Sequence, residues 1–200
     1  MNVEYFINAS ASLSQHIRTD IKLSFYLYGH LNDIETIDGK GKVHPRGAII
    51  HQLQVGLRYK LLLQLSDYVY QRNPSERRIV KLLGFAESNL ESIPWKTVPS
   101  RSSLKEQRAK LDAVAAQIEK MQYVRNKFFA HVDHEYVIDP DASLCNALPS
   151  IDDLCALLNV LASILIFIDR NLGRRREIGY DAWCDIECRQ FAAELLHVHR

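Results

Sequence analysis

The sequence has few of the residues that break helices, and it has no clear strand pattern. Its 200 residues contain 8 glycines and 6 prolines. No segment sustains the alternation of polar and apolar residues that is typical of a half-buried strand. Apolar residues recur instead at steps of three and four, which indicates helices. We therefore predict an all-α fold, in a chain long enough for one well-buried domain and short for two.

Neither sign of charge is in excess. Lysine and arginine total 25 and aspartate and glutamate total 24, so the formal net charge is +1. A chain this close to neutrality does not attract nucleic acid through its overall field. Any binding of nucleic acid must come from a local patch.

Cysteine is scarce, and its spacing does not predict a disulfide framework. The four cysteines are at positions 145, 155, 184 and 188. The first residues also lack the basic-then-apolar pattern of a secretory signal. We expect reduced thiols in a cytoplasmic protein.

Cys184 and Cys188 are four residues apart, so they share a face of any helix that carries them. With His197 and His199 they could outline a zinc site. The spacing fits no common zinc module, however, and cysteine often serves as a small apolar residue on a packed helix. We expect no metal and no cofactor.

The sequence also lacks an apolar run of membrane-spanning length. The longest, Leu154–Ile168, has about 15 residues, against the roughly 20 that cross a bilayer. Acidic residues precede it, and Asp169 and Arg170 follow it directly. We interpret it as a central helix buried on most sides, and we expect no membrane partner.

Helix-start and helix-end signals divide the chain into longer helices and one short helix. The longer helices are predicted near 4–32, 46–72, 103–133, 150–172 and 180–198, and the short one near 75–91. Capping boxes are predicted at Asn73–Glu76, Ser103–Glu106 and Ser150–Asp153, and Gly173 is predicted to close the apolar helix. We expect these helices to form a bundle in a single domain, with residues 176–200 forming a C-terminal helix packed on the same domain.

An arginine stands at a core position of the third long helix. Residue 125 falls on an apolar stripe of three- and four-residue steps, formed by Leu111, Val114, Ile118, Met121, Phe128 and Val132. An unpaired charge in a core costs several kcal/mol. Arg125 therefore pairs with an acid across the bundle, or faces a cleft or subunit interface that receives an anion. A third alternative is that its guanidinium simply extends to solvent.

His131 follows Arg125 by six residues, which is about 9 Å along a helix. Both side chains could border one pocket near the helix end. A histidine in that position can also merely interact with the helix dipole. Asn126 and Asp133 share a neighbouring face, and spacing alone does not choose between these interpretations.

The segment from Arg125 and Asn126 through Lys127 and Ala130 to His131 and Asp133 resembles the R-N-(x)n-H signature of the HEPN superfamily. The full pattern, RNKxxAHxD, is most similar to the abortive-infection protein U type of HEPN domain. The position of the motif, late in a long helix of an all-α chain, agrees with this resemblance.

The resemblance implies an HEPN-like bundle of four to five long helices over roughly residues 1–175. Such bundles commonly dimerise so that two motifs face each other. Active members are metal-independent endoribonucleases of toxin–antitoxin, abortive-infection or other anti-phage systems. Other members have lost catalysis and bind RNA, nucleotides or proteins.

The same resemblance assigns roles to the motif residues. It implies that Arg125 and His131 are catalytic, and that Asn126 and Asp133 support them. HEPN toxins controlled by a nucleotidyltransferase antitoxin often carry a tyrosine where this chain has Asp133. Control by that kind of antitoxin is therefore not expected.

Lysine and arginine near the motif and after the apolar helix are the candidates for further RNA contacts. They are Lys127, Arg174, Arg175 and Arg176. Lys127 could equally be solvated, and a basic run after a helix usually forms a solvated turn that favours the helix C-terminus.

Two hypotheses on function stay open. One is a homodimeric ribonuclease acting on RNA, and an intact arginine and histidine pair favours it. The other is a catalytically inactive module that binds RNA, a nucleotide or a protein partner such as an antitoxin, which the near-neutral charge slightly favours.

Overall fold

Helices make up most of the part of the chain that the structure describes. The computed structural model describes residues 1–32, 47–69, 79–126, 149–174 and 180–197. Within these ranges there is no strand. The prediction of an all-α, HEPN-like bundle is confirmed.

The helices lie close to their predicted positions, with one exception. A π-helical segment, Ile17–Ile21, joins the first two of them. In chain order the α-helices are α1 (Val3–His16), α2 (Lys22–Asn32), α3 (Ala48–Val69), α4 (Ile79–Ser88), α5 (Arg101–Asp112), α6 (Ala115–Val124), α7 (Ile151–Asn171) and α8 (Tyr180–His197).

The exception is the third long helix, and the prediction of one continuous helix over 103–133 is wrong. Helix α5 ends at Asp112 and α6 begins at Ala115. Between them, Val114 leaves the helical conformation, with φ −112° and ψ 21°. Both Leu111 and Val114 remain buried. The helix is therefore interrupted between α5 and α6, while the apolar stripe still faces the core.

The predicted capping box at Ser103 is also wrong. The N-cap of α5 is Ser100, whose hydroxyl accepts a hydrogen bond from the Ser103 N–H at 3.0 Å. The helix consequently starts at Arg101, about one turn earlier than an N-cap at Ser103 predicts. The box predicted at residues 73–76 lies outside the described residues.

Both predicted ends of the apolar helix α7 are confirmed. The Ser150 hydroxyl accepts from the Asp153 N–H at 3.1 Å, and the Asp153 carboxylate accepts from the Ser150 N–H at 2.9 Å. At the other end Gly173 has φ +73°, which a glycine adopts without strain. The N–H groups of Gly173 and Arg174 then bond to the carbonyls of Arg170 and Asp169, a Schellman motif.

Helix α7 is, among the described helices, the one long and apolar enough to cross a membrane. An 18-residue window within it has a mean hydropathy of 2.2, and 44% of that window is buried in the protein. Its inner stripe, which includes Leu154, Leu161 and Ile168, is fully buried. The helix packs against α5 and α6. A core helix of a globular protein has these same properties.

The described chain divides into two compact units. The first comprises residues 1–15 and 62–175, and the second comprises residues 16–61 and 176–200. In the first unit α4 packs on α5, and Phe6 of α1 stacks on Phe85 of α4 with ring centroids 5.5 Å apart. In the second unit α2 packs along α8, around Leu31 and Ala192. The assignment of residues 176–200 to one common domain stays a prediction.

Candidate functional site

Arg125 follows the last residue of α6, where the backbone continues in π-helical conformation through Asn126. Its Nη2 donates to Oδ1 of Asp67, in the last turn of α3, at 3.3 Å. The Arg125 side chain is 26% exposed and that of Asp67 is 61% exposed. The sequence left three alternatives open for Arg125. The structure shows the first, pairing with an acid from another helix. An ion pair with so exposed a carboxylate contributes little, about 0–1 kcal/mol.

The turn that carries Arg125 is held by contacts on two sides of α6. On one side, the Gln122 amide donates to the Val69 carbonyl in a long hydrogen bond of 3.5 Å. On the other, Lys120 donates to Asp153 of α7 at 3.2 Å. These contacts connect the part of α6 that precedes Arg125 to both α3 and α7.

The carboxylate at the start of α7 is held in its charged form. The Ser150 N–H lowers the pKa of Asp153, and the neighbouring Lys120 side chain lowers it further, while burial opposes the shift. This carboxylate forms an ion pair with Lys120 of α6 at 3.2 Å. Among the described residues near Arg125, this lysine is thus paired with an acid.

Most of the predicted site residues have no described geometry. Lys127, His131 and Asp133 lie outside the described residues, as do Arg175 and Arg176. Asn126 is half-buried directly after Arg125. The structure therefore places the arginine and asparagine of the motif next to each other, and their relation to His131 stays a prediction.

Arg174 is tied into the protein. Its guanidinium donates to the Asp169 carboxylate at 2.9 Å, to the Ser10 hydroxyl at 3.1 Å and to the Ile7 carbonyl at 2.5 Å. The Asp169 side chain is 7% exposed and also accepts from Ser14 at 2.5 Å. These contacts join the end of α7 to α1. A part for Arg174 in RNA binding stays a prediction, and its contacts give it a structural role.

The two cysteines considered for zinc are buried in the second unit. Cys184 is 0% exposed and Cys188 is 3% exposed. The Cys188 thiol donates to the Leu23 carbonyl at 3.6 Å, and burial raises its pKa to about 11. A thiol with that pKa stays protonated at neutral pH and packs as a small apolar group. Among the described residues no three potential ligands cluster around a metal position.

Sequence reasoning missed Asp67, the partner of Arg125. The two residues are 58 positions apart in the chain. The pattern around residue 125 allows pairing with an acid as one of three alternatives, and it carries no signal for which acid that would be. That choice depends on how α3 and α6 pack, which periodicity does not specify.

The comparison with protein families decides which kind of module this is. The family model HEPN_AbiU2, described as AbiU2, matches residues 4–178. The chain belongs to the HEPN_AbiU2 family. The matched range runs from α1 to beyond α7 and includes Arg125, Asn126 and position 131. No curated protein and no solved structure matches the chain. The resemblance seen in the sequence is confirmed, and the protein is an HEPN module related to abortive infection.

Proposed function

We propose that this AbiU2-family protein is a metal-independent endoribonuclease of a toxin–antitoxin, abortive-infection or other anti-phage system. The observation that carries the proposal is the family match over residues 4–178, which spans the arginine and histidine of the motif. Arg125 supports it, because the guanidinium is partly exposed against an exposed carboxylate. A phosphate can take the place of such a carboxylate at little cost.

The reaction uses the RNA's own 2′-hydroxyl as the nucleophile. A base removes the proton of that hydroxyl while its oxygen forms a bond to phosphorus. The bond from phosphorus to the 5′-oxygen breaks, and an acid gives this oxygen a proton. The products are a 2′,3′-cyclic phosphate and a 5′-hydroxyl, so no metal and no redox partner is needed.

Histidine and arginine suit the two demands of this reaction. His131 exchanges protons near neutral pH, as a base or an acid requires. Arg125 carries a permanent charge on a planar fork that matches two phosphate oxygens. Its charge would stabilise the extra negative charge of the transition state. Asn126 and Asp133 would orient the phosphate and the imidazole, and Lys127 would add a phosphate contact.

One histidine does not easily serve as both acid and base, whereas two histidines related by a dimer axis do. We therefore propose a homodimer in which two copies of the motif form one cleft. We propose that it acts in the cytoplasm, where an antitoxin or another protein partner would restrain it. RNA is the expected ligand, with no cofactor.

The test of catalysis compares the purified wild type with His131→Ala and Arg125→Ala on labelled single-stranded RNA and tRNA in excess EDTA. We expect cleavage by the wild type alone, with cyclic phosphate ends. Losing one transition-state donor typically lowers a rate about 100-fold to 1000-fold. His51→Ala and Arg101→Ala are matched controls, because they remove the same side chains from α3 and α5. Equal cleavage by wild type and both motif variants would end the nuclease proposal.

The dimeric site has a test of its own. Light scattering should give a dimer at micromolar protein. In mixtures of wild type and His131→Ala that have exchanged subunits, activity should fall with the square of the wild-type fraction if one cleft needs both histidines. A linear fall, or a monomer, would contradict the shared cleft.

A second candidate function is a catalytically inactive module that binds RNA, a nucleotide or a protein. Two observations favour it: the net charge is only +1, and an acid, Asp67, stands beside Arg125. RNA binding without cleavage by the wild type would select this candidate.

A further inference from the structure

A cavity of about 220 Å³ opens in the first unit, next to α4, α5 and α6. Its walls include the apolar side chains of Val69, Leu83, Leu111 and Ile118. Polar side chains stand among them: Arg108, Asp112, Glu119 and Gln122. Pockets for drug-sized ligands measure roughly 300–1000 Å³, so this one suits a single ring system.

The cavity runs along the face of α6 that leads to Arg125. Helix α6 lines it with Ala115, Ile118, Glu119 and Gln122, which lie on one face at helical spacing. Arg125 comes three residues after Gln122, a spacing that brings Cβ atoms to about 5–6 Å. Gln122 and Arg125 also both contact the last turn of α3, at Val69 and Asp67. Arg125 therefore follows the cavity along the same face of α6, with Gln122 between them.

We propose that this cavity receives the base of an RNA nucleotide whose phosphate is bound by Arg125. The inference rests on the proposed function for its ligand class, and it adds a base-recognition site to it. Apolar walls suit the two faces of a planar base, and polar groups at its edge suit hydrogen-bond readout. The arrangement puts a base pocket and a phosphate-binding cation side by side.

The polar groups favour guanine over uracil. The Glu119 carboxylate only accepts hydrogen bonds, and guanine offers two adjacent N–H groups on its pairing edge. Uracil offers one N–H flanked by two carbonyl oxygens, which a carboxylate repels. Arg108 is fixed by Glu87, to which its Nε and Nη2 donate at 3.3 and 3.2 Å. The remaining N–H groups of that fork suit the O6 and N7 acceptors of guanine.

The test measures binding separately from cleavage. Short 2′-O-methyl oligonucleotides cannot be cut by 2′-hydroxyl attack, so their dissociation constants report recognition alone. We expect wild-type full-length protein to bind a strand with one central guanine at least 10-fold more tightly than the same strand with uracil. Glu119→Gln should reduce this ratio below about 3-fold. The two strands would then differ by under 1 kcal/mol in binding free energy. Ala115→Phe, which fills the cavity, should weaken binding of the guanine strand at least 10-fold.

Two neighbouring variants are the matched controls. Ala116→Phe adds the same ring one residue away, and Glu106→Gln removes the same charge from an exposed position of α5. Neither residue lines the cavity. Both should keep the wild-type ratio and affinity, and circular dichroism should show that all four variants fold.

The outcomes separate this inference from the proposed nuclease. Equal binding of both strands, no binding, or a ratio unchanged in Glu119→Gln and Ala115→Phe would overturn the base pocket, even if RNA is cleaved. Guanine preference without any cleavage would keep the pocket and end the nuclease proposal. Guanosine monophosphate that binds as tightly as the strand would overturn the assignment to RNA and identify a free nucleotide as the ligand.

Discussion

Arg125 and Arg174 are similarly covered arginines that each hydrogen-bond to an aspartate, yet their surroundings differ. Their side chains are 26% and 23% exposed. The partner of Arg125, Asp67, is 61% exposed, whereas the partner of Arg174, Asp169, is 7% exposed. A buried carboxylate that loses its cation is left without solvation, whereas an exposed one is taken up by water. The exposure of the carboxylate, more than that of the arginine, therefore decides whether the ion pair can open.

The comparison separates two roles that look alike in the sequence. Both arginines were candidates for phosphate contact, and both lie at a helix end. Arg174 is part of a closed network with Ser10 and the Ile7 carbonyl. Arg125 faces a partner that solvent or a phosphate can replace. A third pair, Lys120 with Asp153, lies between these extremes, since Asp153 is 23% exposed. The three carboxylates give an ordered series of predictions.

The largest effect is expected at the buried end of the series. Arg174→Ala should lower the free energy of unfolding by about 3 kcal/mol, because it strips the cation from a buried carboxylate. Urea denaturation followed by circular dichroism measures it. The control is Arg189→Ala, whose arginine pairs with Asp185 one helical turn away and is 67% exposed. That variant should change stability by less than about 0.5 kcal/mol. Equal losses of unfolding free energy in the two variants would show that burial of the carboxylate does not determine the size of the loss.

The start of α7 should give an intermediate effect with a defined pH dependence. Asp153→Ala should cost about 1 kcal/mol at neutral pH, because it removes the acceptor of the Ser150 N–H and the partner of Lys120. The folded state lowers the pKa of Asp153 below its ordinary value of 3.8. The stabilisation is therefore complete above that value, and it is lost as the pH falls through the lower pKa of the folded state.

The measurement for Asp153 is a set of urea denaturations of wild type and variant over a range of acidic pH. The gap between them should be constant in neutral and mildly acidic buffer and should shrink below pH 3.8. Asp152→Ala is the control, because Asp152 is exposed in the same first turn. It should cost only a few tenths of a kcal/mol through the helix dipole. A stability difference between wild type and Asp153→Ala that widens in acid would contradict the lowered pKa of Asp153 in the folded state.

Local signals in the sequence predicted α7 and the fold class well. The reciprocal bonds of Ser150 and Asp153 and the positive φ of Gly173 are short-range features, so a few residues determine them. The break at Ala113 and Val114 had no such signal. Alanine favours helices, neither residue is a glycine or proline, and the apolar steps continue through the turn. The interruption therefore could not be predicted from the residues that form it.

The candidate site was predictable in part for the same reason. Arg125 was visible as a charge on an apolar stripe, since periodicity reveals a misplaced residue type. Its partner Asp67 and the cavity beside Gln122 are formed by segments distant in the chain. Their spacing in sequence carries no trace of that proximity. The N-cap at Ser100 shows a milder version of the limit, because several nearby serines could each cap a helix.

The smallest effect on stability, and the one closest to function, is expected at Asp67. Asp67→Asn should change the free energy of unfolding by less than about 1 kcal/mol, because its pair with Arg125 is exposed. It should tighten binding of an uncleavable 2′-O-methyl oligonucleotide about 3-fold at low salt, since the carboxylate no longer competes with phosphate for the guanidinium. Fluorescence anisotropy measures the dissociation constant.

Glu106→Gln separates competition from net charge, because it removes one negative charge from an exposed position of α5. If both variants tighten binding equally, the cause is the change in net charge, and Asp67 does not compete specifically with phosphate for Arg125. If Asp67→Asn weakens binding instead, the carboxylate holds Arg125 in the orientation that phosphate needs. The pair would then resemble that of Arg174 and Asp169 in role, and the exposure of the carboxylate would no longer distinguish a structural arginine from a phosphate-binding one.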